Sequence, residues 1–130
     1  MLPATALYAG LLGLYAIWLA LQVIRARHTY RVALGTPHRM VERAARAHGN
    51  FSEYAPLGLV LIGLCEINGL PAWAVHALGT ALVAGRVVHG IGIAREPENM
   101  RWRTVGMSLT FAVLGVAAAA CLGLALAGLA

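Results

Sequence analysis

The sequence has 130 residues, of which 60% are hydrophobic and 12% charged, and its mean hydropathy is +0.74. Soluble domains contain roughly 45–50% apolar and about 25% charged residues, so this composition excludes a soluble globule and predicts an all-α integral membrane protein. All ten basic residues are Arg and all five acidic residues are Glu, which gives a pI of about 10.0. Because the arginines cluster in short segments between apolar stretches, membrane topology explains them, and we expect no nucleic-acid partner.

Four transmembrane helices are predicted in one membrane domain that spans residues 1–130, a bundle in which all four helices cross the membrane. They cover about residues 2–25, 46–68, 71–94 and 101–129. The first is uncharged from Leu2 to Ile24, enough to cross about 30 Å of hydrocarbon. It has no basic segment before it and is too long for a typical signal peptide, so we expect it to remain as a membrane helix.

The arginines also predict an orientation. Six lie between the first and second helices and three between the third and fourth, while the remaining turn and both termini have none. The positive-inside rule places both basic loops in the cytoplasm and both termini outside. The absence of lysine, with many Ala and Gly residues, is typical of a GC-rich bacterial genome, so we expect a bacterial inner membrane protein.

A row of polar residues opens the second helix. Arg46, Asn50 and Glu53 stand at i, i+4 and i+7 and therefore share one helix face. Charge in a membrane segment persists where it faces protein, water or a polar ligand. A cation, an amide and an anion in one row suit a small zwitterion, although Arg46 alone is also typical of an interfacial arginine and Asn50 of a contact between helices.

A second polar pair, Arg86 and His89, lies one turn apart on the third helix. Two interpretations stay open: a structural ion pair of Arg86 with Glu53 or Glu66, or an anion site to which His89 contributes a donor. The two cysteines, Cys65 and Cys121, are interpreted as small buried apolar residues. No zinc-ligand or disulfide spacing is present, so no metal site is expected.

Three motifs carry a family resemblance. They are Val41-Glu42-Arg43-x-x-Arg46-Ala47-His48-x-Asn50-x-Ser52-Glu53-Tyr54-x-Pro56-Leu57, Gly85-Arg86-x-x-His89 and Arg103-x-x-Gly106-x-x-x-Thr110. With them the sequence resembles the MAPEG superfamily, the membrane-associated proteins of eicosanoid and glutathione metabolism, and in particular a bacterial-type microsomal glutathione transferase. The resemblance implies a homotrimer that binds glutathione between neighbouring subunits on the cytosolic side.

The resemblance also implies roles for individual residues. Those that would bind glutathione, as co-substrate, are Arg46, His48, Asn50, Glu53, Tyr54, Arg86, His89 and, at the end of the first helix, Arg25. Arg103 would stabilise the glutathione thiolate, with Arg101 in its place if the loop aligns differently. Two tyrosines found in family members are matched here by Ile93 and Met107, which argues against prostaglandin-synthase-like isomerase chemistry.

The function predicted from the sequence is therefore a glutathione transferase that acts on lipophilic electrophiles, with lipid-hydroperoxide peroxidase activity as a second reaction. The alternative is a non-catalytic lipid-binding or helper protein of the same superfamily. A channel or transporter is disfavoured because the charged groups gather at one side of the membrane. The expected partners are glutathione, lipophilic small molecules or lipids, and the membrane.

Overall fold

The protein is a bundle of four antiparallel helices in a computed structural model that describes residues 1–94 and 96–129. The helices are α1 (Pro3–Tyr30), α2 (Arg39–Ile67), α3 (Ala72–Ala94) and α4 (Met100–Leu129). The all-α prediction is confirmed. Three of the helices, α1, α3 and α4, are long and apolar enough to cross a membrane.

The second helix differs from the prediction of four spanning helices. It is not among those apolar enough to span, because its first half carries Arg39, Glu42, Arg43, Arg46 and Glu53. Its apolar part is confined to residues 54–67, whereas a spanning helix needs about 20 apolar residues. Hydrophobic length alone therefore supports a membrane protein with three spans, and α2 is the helix that carries polar groups into the bundle.

Two helices extend further than the sequence indicated. α2 begins at Arg39 and not near residue 46, because the His38 side chain caps it: His38 Nδ1 accepts a hydrogen bond from the backbone N–H of Met40 at 3.2 Å. α1 continues to Tyr30 and ends at Arg31, which has a left-handed backbone with φ 53°. The predicted ends marked where charge begins, but charged residues are good helix formers, so the helices continue past them.

The packing of α3 against α4 is close. α2 and α3 contact every other helix, whereas α1 and α4 lie on opposite sides of the bundle and, over the described residues, do not touch. A Cβ added at Gly106 would lie 2.5 Å from the His89 backbone nitrogen and 2.7 Å from the Gly85 carbonyl oxygen. Only a glycine allows this approach, which brings the end of α3 beside the first turns of α4.

The opposite end of the bundle is held by a side-chain cap. Glu66, at the end of α2, accepts hydrogen bonds from the backbone N–H groups of Ala4 and Thr5 at 3.0 and 2.8 Å. These are donors of the first turn of α1 with no partner inside their own helix, and a carboxylate there also interacts favourably with the helix dipole. Glu66 therefore has a structural role that fixes α1 against α2.

Candidate functional site

An open cavity of about 730 Å³ lies where α2 begins, α3 ends and α4 begins. Its volume is in the range of about 300–1,000 Å³ that is usual for small-molecule sites. Five of the residues selected from the sequence line it: Arg46, Asn50, Glu53, His89 and Arg103. The antiparallel packing of three helices thus brings together side chains that are far apart in the sequence.

The row on α2 forms one wall of the cavity. Arg46 and Glu53 are both exposed, and Asn50 lies between them, partly buried. Within the part of the chain that the structure describes, neither Arg46 nor Glu53 has an ion-pair partner. The cavity therefore offers a cation and an anion of its own to a ligand that carries both charges.

Arg86 lies behind this wall and connects three helices. Its side chain is 1% exposed and does not line the cavity. One terminal nitrogen, Nη2, donates to Asn50 Oδ1 and lies 3.3 Å from His89 Nδ1. The other, Nη1, donates to Thr110 Oγ1 at 3.3 Å. Arg86 thereby fixes the positions of two cavity residues, Asn50 on α2 and His89 on α3.

The ion pair considered for Arg86 is not formed. Among the described residues no carboxylate of Glu53 or Glu66 lies within ion-pair distance of its guanidinium. The Tyr54 ring instead packs against Arg86, with the guanidinium carbon 5.8 Å from the ring centre. Buried charge is tolerated where hydrogen bonds and aromatic faces surround it, and here the amide oxygen of Asn50 takes the place of a carboxylate.

Arg103 is held by an acidic residue that was not among the predicted site residues. Glu98, in the loop before α4, accepts from Arg103 Nη1 at 2.8 Å through one carboxylate oxygen. Its other oxygen accepts from Arg43 Nη1 at 3.1 Å. Arg43 also donates to the Ile93 carbonyl oxygen at 3.2 Å. The carboxylate of Glu98, which lines the cavity, therefore joins α2 to α4.

Arg43 was overlooked because its helix was predicted to start too late. With α2 beginning at Arg39, Arg43 stands three residues before Arg46 and seven before Asn50, so it shares their face. The spacing of Arg43 relative to Arg46 and Asn50 was therefore a usable signal in the sequence, but the late predicted start of α2 concealed it. No pattern in the sequence indicated Glu98, since a glutamate in a short polar loop is usually solvated.

The other selected residues do not line the cavity of their own chain. Tyr54 packs between Arg86 and the ring of Phe111, whose centre is 5.5 Å away. His48 is partly exposed on α2. Arg25 is exposed on α1 and hydrogen-bonds Gln22 of the same helix at 3.3 Å. Arg101 is exposed, so within this chain Arg103 is the arginine of that pair that reaches the cavity.

The cavity is rich in charge of both signs. Its charged lining residues are Arg39, Arg43, Arg46, Arg103, Glu42, Glu53 and Glu98. Glu98 is shared between two arginines, and Arg39 pairs with Glu96 at 3.0 Å in an exposed position. Arg103 still presents a partly exposed guanidinium to the cavity. This lining can bind carboxylates and an amine, and it can stabilise a developing anion.

Comparison with known proteins agrees with this architecture. The sequence model of a family described as the MAPEG family matches residues 5–123. The chain is also 40% identical over 111 residues to proteins named inner membrane protein YecN from Escherichia coli K12 and from Escherichia coli O6:H1 strain CFT073. The match covers 85% of this chain and 83% of those proteins.

Proposed function

The chain belongs to the MAPEG family, and we propose that it is a glutathione-dependent membrane transferase that also reduces lipid hydroperoxides. One observation carries the proposal. An open cavity collects Arg46, Asn50 and Glu53 from α2 together with Arg103 from α4. Glutathione carries carboxylates, peptide groups, an amine and a thiol. Arg46 is complementary to a carboxylate, Asn50 to a peptide group, Glu53 to the amine and Arg103 to the thiolate.

Binding would use the wall on α2. Arg46 would pair with a glutathione carboxylate and Glu53 with its amine, and charge-assisted hydrogen bonds of this kind are short and strong. Asn50 would bind a peptide group, because Arg86 holds its amide oxygen and leaves its amino group as a donor. His89, fixed by the same arginine, would complete the pocket from α3.

Activation would use Arg103. A free thiol with a pKa of about 8.5 is mostly protonated at neutral pH, and the thiolate is the nucleophile. A guanidinium beside the sulfur favours the thiolate, and it keeps its own charge because arginine does not lose its proton in proteins. A lipophilic electrophile dissolved in the bilayer would then meet the sulfur from the side of the helices.

Location and assembly follow the same reasoning. The relatives are named inner membrane proteins, and we infer the same membrane here, with all four helices embedded and the cavity facing the cytoplasm because the arginines gather at that end. We also infer a homotrimer. α1 contributes no residue to the cavity of its own chain, so Arg25 enters the proposal as a contribution from a neighbouring subunit.

A second candidate is a non-catalytic lipid-binding or helper protein. The observation that favours it is the ion pair of Arg103 with Glu98 at 2.8 Å, since a neutralised guanidinium stabilises a thiolate less. Conjugation assays with glutathione and electrophiles of graded lipophilicity separate the two functions. The transferase proposal expects turnover that rises with lipophilicity and is lost in Arg103→Ala but kept in Arg101→Ala. Glutathione binding without turnover of any electrophile or hydroperoxide would favour the helper.

A further inference from the structure

The two cysteines meet at the end of the bundle opposite the cavity. Cys65 Sγ on α2 lies 3.2 Å from Cys121 Sγ on α4. Each thiol also reaches a backbone oxygen of the other helix: Cys65 lies 3.4 Å from the Ala117 carbonyl and Cys121 lies 3.2 Å from the Leu61 carbonyl. The contact is therefore reciprocal, since each sulfur lies against the turn that precedes the other cysteine.

This contact has the geometry of a pair that can be oxidised. The sulfurs of a disulfide are about 2.05 Å apart, so the two sulfur atoms need to approach by roughly 1 Å. They lie on two helices that already pack together. The two cysteines are 56 positions apart in the sequence, so a bond between them would tie α2 to α4 through a long loop. The cysteines are free thiols in this structure.

The surroundings decide which oxidant reaches them. Cys65 is 0% exposed, whereas Cys121 is partly exposed beside the apolar outer face of α4. Charged oxidants such as glutathione disulfide enter an apolar environment only at high cost. An organic hydroperoxide dissolved in the hydrocarbon has no such barrier, and Cys121 is the sulfur that it would meet first.

We propose that Cys65 and Cys121 form an oxidisable dithiol site, which an organic hydroperoxide converts to an intrachain disulfide between α2 and α4. The Cys121 sulfur attacks the O–O bond, the alcohol leaves with one proton, and Cys121 becomes a sulfenic acid. The Cys65 sulfur then attacks the Cys121 sulfur, and the hydroxyl leaves as water with the second proton. Each disulfide therefore consumes one hydroperoxide and yields one alcohol and one water. This site does not depend on the glutathione cavity.

Oxidation of the full-length protein in detergent by cumene hydroperoxide tests the proposal. We expect the intact mass to fall by two hydrogen atoms, both thiols to become unreactive to maleimide after unfolding, and a reductant to reverse both changes. The unfolding temperature should shift upward on oxidation, because a cross-link restricts the unfolded chain. The unoxidised protein provides the baseline.

Two single variants separate the roles of the cysteines. In Cys65→Ser the Cys121 sulfenic acid has no partner, so a cyclic 1,3-diketone should trap it there, and the unfolding temperature should not rise. In Cys121→Ser the remaining Cys65 should stay a thiol. Thiols that remain reactive in the wild-type protein would overturn the proposal. A disulfide between copies of the chain on a non-reducing gel, or oxidation of Cys65 in Cys121→Ser at the wild-type rate, would do the same.

Discussion

Replacing Glu98 by glutamine tests how the ion pair at Arg103 affects the proposed chemistry. Glu98 is 2.8 Å from Arg103 and 3.1 Å from Arg43, and the substitution removes its charge while keeping its size. A thiolate bound at Arg103 would lie roughly 6 Å from the Glu98 carboxylate, where two like charges repel by about 0.7–2.8 kcal/mol for effective dielectric constants of 80 to 20. Removing that repulsion makes the thiolate easier to form.

The lower part of this range applies because the site is open. The Glu98 and Arg103 side chains are 30% and 33% exposed, so solvent screens their interaction. One pKa unit corresponds to about 1.4 kcal/mol. We therefore expect Glu98→Gln to lower the thiol pKa of bound glutathione by about half a unit to one unit. More thiolate would then be present at neutral pH, and the difference from wild type would fade as the pH rises above both pKa values.

The assay is an ultraviolet titration of thiolate absorbance with glutathione bound to each protein. Glu96→Gln is the matched control, because Glu96 lies two residues away, pairs with Arg39 in an exposed position and does not line the cavity. It should leave the thiol pKa unchanged. An unchanged or raised thiol pKa in Glu98→Gln would contradict this electrostatic effect, because Glu98 would then act by positioning Arg103 and not by opposing its charge.

Three further predictions concern catalysis and folding. Arg103→Ala should abolish turnover and the thiolate absorbance of bound glutathione, while glutathione affinity changes by less than about threefold. Rate assays and calorimetry measure these effects, with Arg101→Ala as the control. Thiolate absorbance that is retained in Arg103→Ala would contradict the role of Arg103. Gly106→Ala should destabilise the bundle by about 1–3 kcal/mol in thermal unfolding, because the added Cβ would lie 2.5 Å from the His89 backbone nitrogen. Gly115→Ala on the same helix is the control. Its Cβ meets nothing within 4 Å, so this variant should be as stable as the wild type or more stable. Glu66→Ala should cost about 1–2 kcal/mol through loss of the α1 cap, and equal unfolding temperatures for Glu66→Ala and wild type would show that the cap contributes nothing.

The sequence predicted the polar wall of the cavity because helical geometry determines it locally. The spacing of Arg46, Asn50 and Glu53 places them on one face wherever the helix begins, and all three line the cavity. The all-α class and the helices α1, α3 and α4 followed from hydrophobic length in the same way. These features depend on residues close together in the chain, so one sequence is enough to predict them.

The features that were missed depend on contacts between distant segments. The partner of Arg86 depends on which side chain of α2 lies beside it in the folded bundle. That side chain is the amide of Asn50 and not a carboxylate. The pairing of Glu98 with Arg43 and Arg103 requires the loop before α4 to fold back over the start of α2. The boundary of α2 was also wrong, since its cap at His38 uses a histidine nitrogen that is not among the usual capping groups.

Calorimetric titration of the detergent-purified protein with glutathione, in parallel with Arg46→Ala, shows whether the cavity binds glutathione. We expect saturable binding to the wild-type protein. We also expect the variant to bind glutathione about ten- to a hundredfold more weakly, because it lacks one charge-assisted hydrogen bond worth about 1.5–3 kcal/mol. Absence of binding to the wild-type protein, or equal affinity of both proteins, would contradict the claim that this cavity is a glutathione site.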